Sequence, residues 1–183
     1  DHQIFNVQSY GGISRYYTLL AQELLSLDQE VGVFAGVYSN NYVADLPNNV
    51  VHGVKYTNYP ARAGRLVQVF NHYLTSRQIK NWQPDLIHET YYSFIPFSKS
   101  SIPRITTVYD MIHELYPEMF KNSNLMERMK QKTFNRAEHI ISISHSTKKD
   151  LVKRLGIDEE KISVVHLGVD IQTFSDYRSI STD

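Results

Sequence analysis

The chain has 183 residues, of which 42% are hydrophobic and 12% aromatic, so it is long and apolar enough to bury the core of one globular domain. Its 19 basic and 19 acidic residues give a net charge of +0, and no global field directs it to nucleic acid or an anionic membrane. The absence of cysteine excludes disulfides, thiolate nucleophiles and thiolate metal sites. No apolar run approaches the roughly 18 residues of a membrane span, and the first residues lack the pattern of a signal peptide.

The predicted elements alternate between helices and short strands. In chain order they are a helix at 13–28, strands at 31–38 and 50–56, a loop at 58–64, a helix at 65–82, strands at 85–90 and 104–110, a helix at 125–136, a strand at 139–144, a helix at 148–155 and a strand at 162–166. Thr147 and Asp150 have the spacing of a capping box for the last helix. This alternation predicts an α/β fold, a parallel sheet with helices on both faces.

The polar residues that follow the predicted strands are the candidates for function, because parallel sheets bind ligands at the carboxyl ends of their strands. They lie in three segments, 88–92, 109–114 and 142–146. Several motifs of known chemistry are absent from the sequence, among them the phosphate-binding G-x-x-x-x-G-K-[ST] and the dinucleotide-binding G-x-G-x-x-G. His88-Glu89 and His113-Glu114 do not continue into H-E-x-x-H, so we expect no protein-bound metal.

A glycine pair, Gly11-Gly12, precedes the first predicted helix. Glycines at this place leave backbone N–H groups uncovered at the positive end of the helix dipole, where a phosphate fits. Arg15 is placed to clamp such a phosphate. The alternative is that the glycines only permit a tight turn, that Ser14 caps the helix and that Arg15 is a solvated helix residue.

Five segments of the sequence, in order and spacing, resemble the amino-terminal half of a glycosyltransferase family 4 enzyme. They are Gln8-Ser-Tyr-Gly-Gly-Ile-Ser-Arg-Tyr-Tyr17, Pro84-Asp-Leu-Ile-His-Glu-Thr-Tyr-Tyr92, Thr107-Val-Tyr-Asp-Met-Ile-His-Glu-Leu-Tyr-Pro-Glu118, Ile143-Ser-His-Ser-Thr-Lys-Lys-Asp-Leu151 and Ile162-Ser-Val-Val-His-Leu-Gly-Val-Asp170. The resemblance implies a GT-B architecture, in which two Rossmann-like domains face each other across a cleft. This chain is similar to the acceptor-side domain.

The resemblance also implies the reaction, a retaining transfer of a sugar from a nucleotide-sugar to a hydroxyl of a glycan or lipid-linked acceptor. No metal or cofactor beyond the nucleotide-sugar is implied, and the expected location is the cytoplasm or the inner membrane surface. The glycine pair would approach the donor diphosphate, together with Ser14 and Arg15. Residues 1–168 would form the amino-terminal domain and 169–183 the connector to a nucleotide-sugar-binding domain outside this sequence, so we expect the chain alone to be inactive.

Asp110 and His113 are the candidate catalytic residues. A carboxylate or an imidazole that accepts the hydrogen bond of an acceptor hydroxyl makes that hydroxyl a better nucleophile, and both residues lie where a strand end meets a loop. The alternative is that Asp110 caps a short turn before Pro117 and that His113 is a surface histidine. Many relatives carry His-Asp where this chain has Tyr109-Asp110, so a catalytic histidine is not carried over to that position.

Four residues are candidates for the acceptor groove, because aromatic faces and carboxylates suit the C–H and O–H groups of sugars. They are His88, Glu89, Tyr91 and Tyr92. The tyrosines are equally compatible with a place in the core. The first strand that relatives place before the glycine turn is largely missing, since only seven residues precede Gln8.

The segment Lys121–Arg154 has nine Lys or Arg residues against three acidic ones, a local balance of +6. A solvated helix face is one interpretation, and contact with anionic lipid or a diphosphate-linked acceptor is the other. Nothing in the sequence resembles a nucleic-acid-reading motif. The second hypothesis for the whole chain is a self-sufficient Rossmann-like module that binds a phosphorylated or glycan ligand without catalysis.

Overall fold

A computed structural model describes residues 1–56, 64–96 and 101–168 of the protein. The helices and strands in these ranges are α1 (Gln3–Val7), α2 (Gly12–Ser26), β1 (Val33–Tyr38), β2 (Val51–Lys55), α3 (Gly64–Trp82), β3 (Ile87–Glu89), β4 (Arg104–Val108), α4 (Ile112–Leu115), α5 (Ser123–Arg136), β5 (His139–Ser142), α6 (His145–Leu155) and β6 (Ile162–Val164). Most of the predicted loop at 58–64, and the predicted connector at 169–183, lie outside the described residues.

All the strand pairs are parallel, and helices flank the strands, so the predicted α/β class is confirmed. Strand β1 pairs with β2, and the remaining strands form a second sheet in the order β3-β4-β5-β6. The division into two hydrogen-bonded sheets differs from the one sheet that the sequence predicts. Burial of β1 accounts for its run of hydrophobic residues, because Val33, Phe34 and Ala35 are all buried.

Helix α1 lies where the two sheets approach each other. The carbonyl oxygen of Phe5 accepts the N–H groups of Ser39 (3.3 Å) and Asn40 (3.2 Å), which follow β1. Thr90, which follows β3, accepts the N–H of Ile4 through its hydroxyl oxygen at 3.3 Å. Since Ile4 and Phe5 are also buried, this short helix joins the carboxyl ends of β1 and β3.

The start of α6 corrects the predicted capping box. The N-cap is Ser144, whose hydroxyl oxygen accepts the N–H of Thr147 at 3.1 Å, and the helix begins at His145. Thr147 is therefore a residue of the first turn and not the N-cap, because its own backbone N–H is the group that the Ser144 side chain caps. The helix ends at Gly156, whose positive φ of 63° favours glycine.

Asn71 fixes the orientation of α3 on β1. The Oδ1 atom of its side chain accepts the N–H of Val37, and its Nδ2 atom donates to the carbonyl oxygen of Val37, both at 2.8 Å. The amide thus makes the two hydrogen bonds that a neighbouring strand would make. The contact needs Gly36, since a Cβ at this residue would lie 2.6 Å from Oδ1 of Asn71 and its φ is +61°. Asn71 is fully buried, and so is Thr75 one turn later.

Asn71→Ala is expected to lower the free energy of unfolding by about 2 to 4 kcal/mol, because both backbone groups of Val37 lose their side-chain partner. Chemical denaturation followed by circular dichroism measures this change. Asn81→Ala, at an exposed position of the same helix, is the control and should stay near the wild-type value. Equal stability of the two variants would show that the Asn71 amide does not hold α3.

Candidate functional site

The carboxyl ends of β3, β4 and β5 lie at one edge of their sheet, and the amino-terminal turn of α2 reaches the same edge. The ring of Tyr16 packs edge-on against that of Tyr109, with centroids 5.7 Å apart. The ring of Tyr17 packs against that of His88 at 5.0 Å, and its hydroxyl donates to the carbonyl oxygen of Glu89. The fold therefore brings the amino-terminal half of α2, which begins at the glycine turn, next to the end of β3 and the residue that follows β4.

The two glycines of the turn have different surroundings, and neither lies in the left-handed region of backbone conformation. Gly11 is extended, with φ at 177°, and a Cβ there would overlap the side chain of Gln8. That side chain accepts the N–H of Ser14 at 3.2 Å, so Gln8 caps the helix and packing explains Gly11. A Cβ at Gly12 would meet no atom of the described residues within 4 Å, so the space in front of the helix is open.

Ser14 and Arg15, the two other predicted donor-binding residues, have opposite surroundings. Ser14 is buried, and its hydroxyl donates to the carbonyl oxygen of Gly11 at 3.0 Å, so Ser14 shapes the turn. Arg15 is exposed at the first turn of α2. Of the two, only Arg15 has a side chain at the surface.

Asp110 is half exposed at the carboxyl end of β4. Its Oδ1 accepts the N–H of Ile112 at 3.2 Å, which is the predicted capping of a short turn, yet 48% of its side chain remains accessible. Burial raises the pKa of Tyr91 and of Tyr92, and the negative charge of Asp110 raises both values further. The carboxylate is thus both a turn cap and an accessible group beside the two tyrosines.

Lys130 is a buried residue of the site that the sequence analysis did not single out. Its ammonium group donates to Oε2 of Glu114 and to the carbonyl oxygen of Asp110, both at 3.0 Å, and lies 4.0 Å from Oδ1 of Asp110. It also lies over the ring of Tyr92, 5.3 Å from the centroid. Helical spacing indicates its burial, since residues 130, 133 and 134 fall on one face of α5 and are all buried.

His113, the second predicted catalytic residue, is half-buried in α4. Its ring packs against that of Phe120, with centroids 4.4 Å apart. Its Nδ1 has no hydrogen-bond partner among the described residues. The ring therefore lies against an aromatic neighbour, in contrast to the accessible carboxylate of Asp110.

His88 and Glu89 are directed into the protein and interact with other side chains there. Nε2 of His88 lies 2.9 Å from the hydroxyl of Thr107, and burial lowers the pKa of this histidine to about 3. Glu89 is 1% exposed and interacts with two arginines. Arg104 donates to Oε1 at 3.2 Å, and Arg136 donates to both carboxylate oxygens. These contacts give both residues a structural role.

Tyr91 and Tyr92, in contrast, line a cavity of about 310 Å³. Their ring centroids are 5.1 Å apart. Tyr92 is buried, with its ring also against Phe134, whereas Tyr91 is half-buried. The rest of the lining comes from α1, α3, α5 and the segment after β3, and consists of His2, Gln3, Asn6, Val7, Gln68, His72, Ser93, Phe94, Ile95 and Met129. This mostly aromatic and apolar cavity adjoins Asp110 through the two tyrosines.

The basic segment Lys121–Arg154 is not one solvent-facing surface. Lys130 is buried, and the guanidinium of Arg136 donates to Ser93 as well as to Glu89. Lys148 donates to the carbonyl oxygen of Ile162 at 2.9 Å. A larger cavity, of about 700 Å³, lies between α6 and β6, and its lining includes Lys148, Lys149 and Lys153 but none of the predicted catalytic, donor-binding or acceptor-binding residues.

In the described ranges, no group of three His, Cys, Asp or Glu side chains is arranged to hold a metal ion. In the same part of the chain, no helix is long and apolar enough to span a membrane.

Comparison with known proteins places this geometry in a family. No match is found among the curated proteins. Among solved structures, the chain is similar to a glycosyltransferase from Rickettsia africae ESF-5, with a TM-score of 0.50 and 19% sequence identity. The match covers 93% of this chain and 43% of the Rickettsia protein, so the chain spans less than half of that protein's length. The model of Glycosyltransferase Family 4 matches residues 10–173, from the glycine turn past the last strand, and the chain therefore belongs to this family.

Proposed function

We propose that this chain is the acceptor-side half of a retaining glycosyltransferase. It would bind the hydroxyl-bearing acceptor, a glycan or a lipid-linked sugar, while the donor is a nucleotide-sugar held mainly by a second domain. One observation carries the proposal: α2, which begins at the glycine turn, packs through Tyr16 on Tyr109, next to the accessible carboxylate of Asp110 and the Tyr91–Tyr92 pair at the same edge of the sheet. Family membership supports the type of reaction.

The donor diphosphate is proposed to approach the amino-terminal end of α2. The open space at Gly12 lets a phosphate oxygen come close to backbone N–H groups at the positive end of the helix dipole. Arg15, exposed on the first turn, adds a guanidinium group that can donate hydrogen bonds to a phosphate. Gly11 and Ser14 contribute indirectly, since they fix the turn through Gln8 and the Gly11 carbonyl oxygen.

The acceptor is proposed to lie over Tyr91, with its reactive hydroxyl directed to Asp110. Aromatic rings pack well against the C–H faces of sugars, and the cavity behind Tyr91 offers apolar volume for part of the acceptor. A carboxylate oxygen of Asp110 would accept the hydrogen bond of the hydroxyl and increase its nucleophilicity. Lys130 would act as a positioning residue, because it binds the backbone carbonyl of Asp110.

The donor part of the proposal is tested by Gly12→Val in the protein that contains both halves. A valine there places two further heavy atoms beyond Cβ in the path of the phosphate, so donor affinity is expected to fall roughly 10-fold or more, since this loss corresponds to one or two hydrogen bonds to a charged group. Isothermal titration with the nucleotide-sugar or its nucleoside diphosphate measures this loss. The 183-residue chain alone, for which we expect no transfer, supplies the background of the activity assay.

Gly64→Val is the matched control, because Gly64 is also the first residue of a helix, and a Cβ there also meets no atom of residues 1–56, 64–96 or 101–168 within 4 Å. Both variants should keep the wild-type unfolding temperature. Unchanged donor affinity in Gly12→Val would contradict the assignment of the donor phosphate to this turn. An equal loss in Gly64→Val would show that the effect is not local to it.

A further inference from the structure

The outward side of α3 carries an exposed apolar stripe. Leu66, Val69, Phe70 and Tyr73 follow the spacing i, i+3, i+4 and i+7, which places them on one side of the helix. Their exposed fractions are 74%, 70%, 51% and 61%. We refer to these four residues, with Arg77 and Lys80, as the α3 face. Large apolar side chains clustered in this way mark an interaction surface more often than single exposed ones do.

The buried side of the same helix is partly polar, so the stripe cannot turn inward at low cost. Asn71 and Thr75 are fully buried, next to Ile79. The two hydrogen bonds between Asn71 and Val37 hold this side against β1. Rotation of α3 to bury Phe70 would break both bonds and leave the buried amide without a partner. The exposure of the stripe is therefore built into the packing of the fold.

The charged residues of the α3 face, Arg77 and Lys80, are both basic. Residues 46–84 contain five Lys or Arg and no Asp or Glu, although the whole chain has a net charge of +0. Arg77 and Lys80 continue the spacing of the stripe, at four and seven residues after Tyr73, and both are exposed. In a symmetric contact between two copies of the chain, Arg77 and Lys80 of one copy would find no carboxylate in residues 46–84 of the other copy to pair with. An anionic bilayer complements both the apolar and the cationic part.

Exposed apolar residues also line the cavity beside the helix. Gln68 and His72 of α3 line the 310 Å³ cavity together with Val7, Phe94 and Ile95. These last three are 59%, 42% and 63% exposed. The mouth of the cavity thus carries exposed apolar residues of its own, on a different side of α3 from the stripe.

We propose that the α3 face docks on an anionic lipid bilayer, with Leu66, Val69 and Phe70 in the interfacial region and Arg77 and Lys80 near the lipid phosphates. Helices with an apolar side and a cationic side bind such interfaces in the plane of the membrane. This surface is separate from the basic segment Lys121–Arg154, and the proposal does not depend on the catalytic assignment.

Flotation with vesicles tests the proposal. The chain is mixed with vesicles of phosphatidylcholine alone or of phosphatidylcholine with phosphatidylglycerol, at low and at high salt. We expect binding that requires phosphatidylglycerol and decreases with salt. Val69→Ser combined with Phe70→Ser should weaken binding roughly 10-fold or more, since two large apolar side chains no longer enter the interface. Arg77→Gln combined with Lys80→Gln should remove most of the salt dependence.

Two control variants keep the test specific. Leu27→Ser with Met119→Ser removes two apolar residues that are 66% and 72% exposed outside α3, and should bind like wild type. Lys132→Gln with Lys153→Gln removes two exposed cations of the basic segment, and should also bind nearly like wild type. A third readout is Phe70→Trp, whose fluorescence should be quenched by brominated lipid more strongly than that of the half-buried Trp82.

Three results would overturn the proposal. The first is no flotation of the unchanged chain with phosphatidylglycerol vesicles at low salt. The second is wild-type binding by the Val69→Ser, Phe70→Ser variant while circular dichroism confirms that it is folded, or an equal loss in the Lys132→Gln, Lys153→Gln control. The third is a dimer of the unchanged chain by size-exclusion chromatography that this apolar variant converts to a monomer with no change in vesicle binding, which would assign the α3 face to a second copy.

Discussion

Asp110→Asn is expected to lower kcat roughly 100-fold or more in the protein that contains both halves, because an amide does not take the proton or orient the acceptor hydroxyl as a carboxylate does. The fold should be preserved. The amide oxygen of the substituted side chain can still accept the N–H of Ile112, and the carbonyl oxygen that binds Lys130 belongs to the backbone. Initial rates at saturating donor and acceptor measure the change, with unfolding temperatures recorded in parallel.

Asp45→Asn is the matched control, because Asp45 is an exposed carboxylate in a turn outside the site. His113→Ala separates the two catalytic candidates, and we expect it to reduce kcat much less than Asp110→Asn, since its ring packs on Phe120. A wild-type rate for a folded Asp110→Asn protein would remove Asp110 from the reaction. A larger loss in His113→Ala than in Asp110→Asn would transfer the proposed role to the histidine.

Glu89→Ala is expected to have the largest effect on stability, a loss of about 3 to 5 kcal/mol, because it leaves the partly or fully buried guanidinium groups of Arg104 and Arg136 without their carboxylate. A domain of this kind has only about 5 to 15 kcal/mol of stability in total, so little folded protein would remain at elevated temperature. Urea denaturation and the soluble yield measure the loss.

Glu89→Gln keeps the shape of the side chain and should cost less than Glu89→Ala, since an amide oxygen can still accept from one arginine. Glu138→Ala removes an exposed carboxylate and should change stability by about 0.5 kcal/mol or less. If Glu89→Ala instead retained wild-type stability and lost only acceptor affinity, the result would support the acceptor-binding role that the sequence predicts for Glu89.

The positions of the helices and strands followed closely from the local sequence. The apolar run at 31–38 contains the strand Val33–Tyr38, and the spacing at 13–28 predicted a helix that the structure begins at Gly12. Periodicity is visible in these segments because one side of each element is buried against the sheet or helices next to it. The cap of α6 was misplaced by three residues, since Ser and Thr occur at both candidate positions and only the backbone geometry distinguishes them.

The candidate site was predicted less completely than the fold. The sequence placed Tyr91, Tyr92 and Asp110 at strand ends, where the structure brings them together. It did not distinguish these residues, which lie near the cavity and the accessible carboxylate, from His88 and Glu89, which are directed into the protein. Neighbouring residues of a strand alternate in direction. The partners of Glu89, Arg104 and Arg136, are 15 and 47 residues away in the sequence, so local patterns do not indicate the pairing. Lys130 was hidden for the same reason, since its partner Glu114 lies in another helix.

The sequence by itself determined the α/β class, the order of the elements, the glycine turn and the family to which the five segments are similar, because these depend on local patterns and on motif order. Only the tertiary structure decided which side of each element faces inward. Helix α3 is the clearest case: its residues alone allow the apolar side to be buried, as in most helices, but the bonds between Asn71 and Val37 turn Leu66, Val69, Phe70 and Tyr73 outward. The physical reason is that the orientation of α3 depends on long-range contacts with β1, among them the two hydrogen bonds of Asn71, and the local spacing of apolar residues does not contain these contacts.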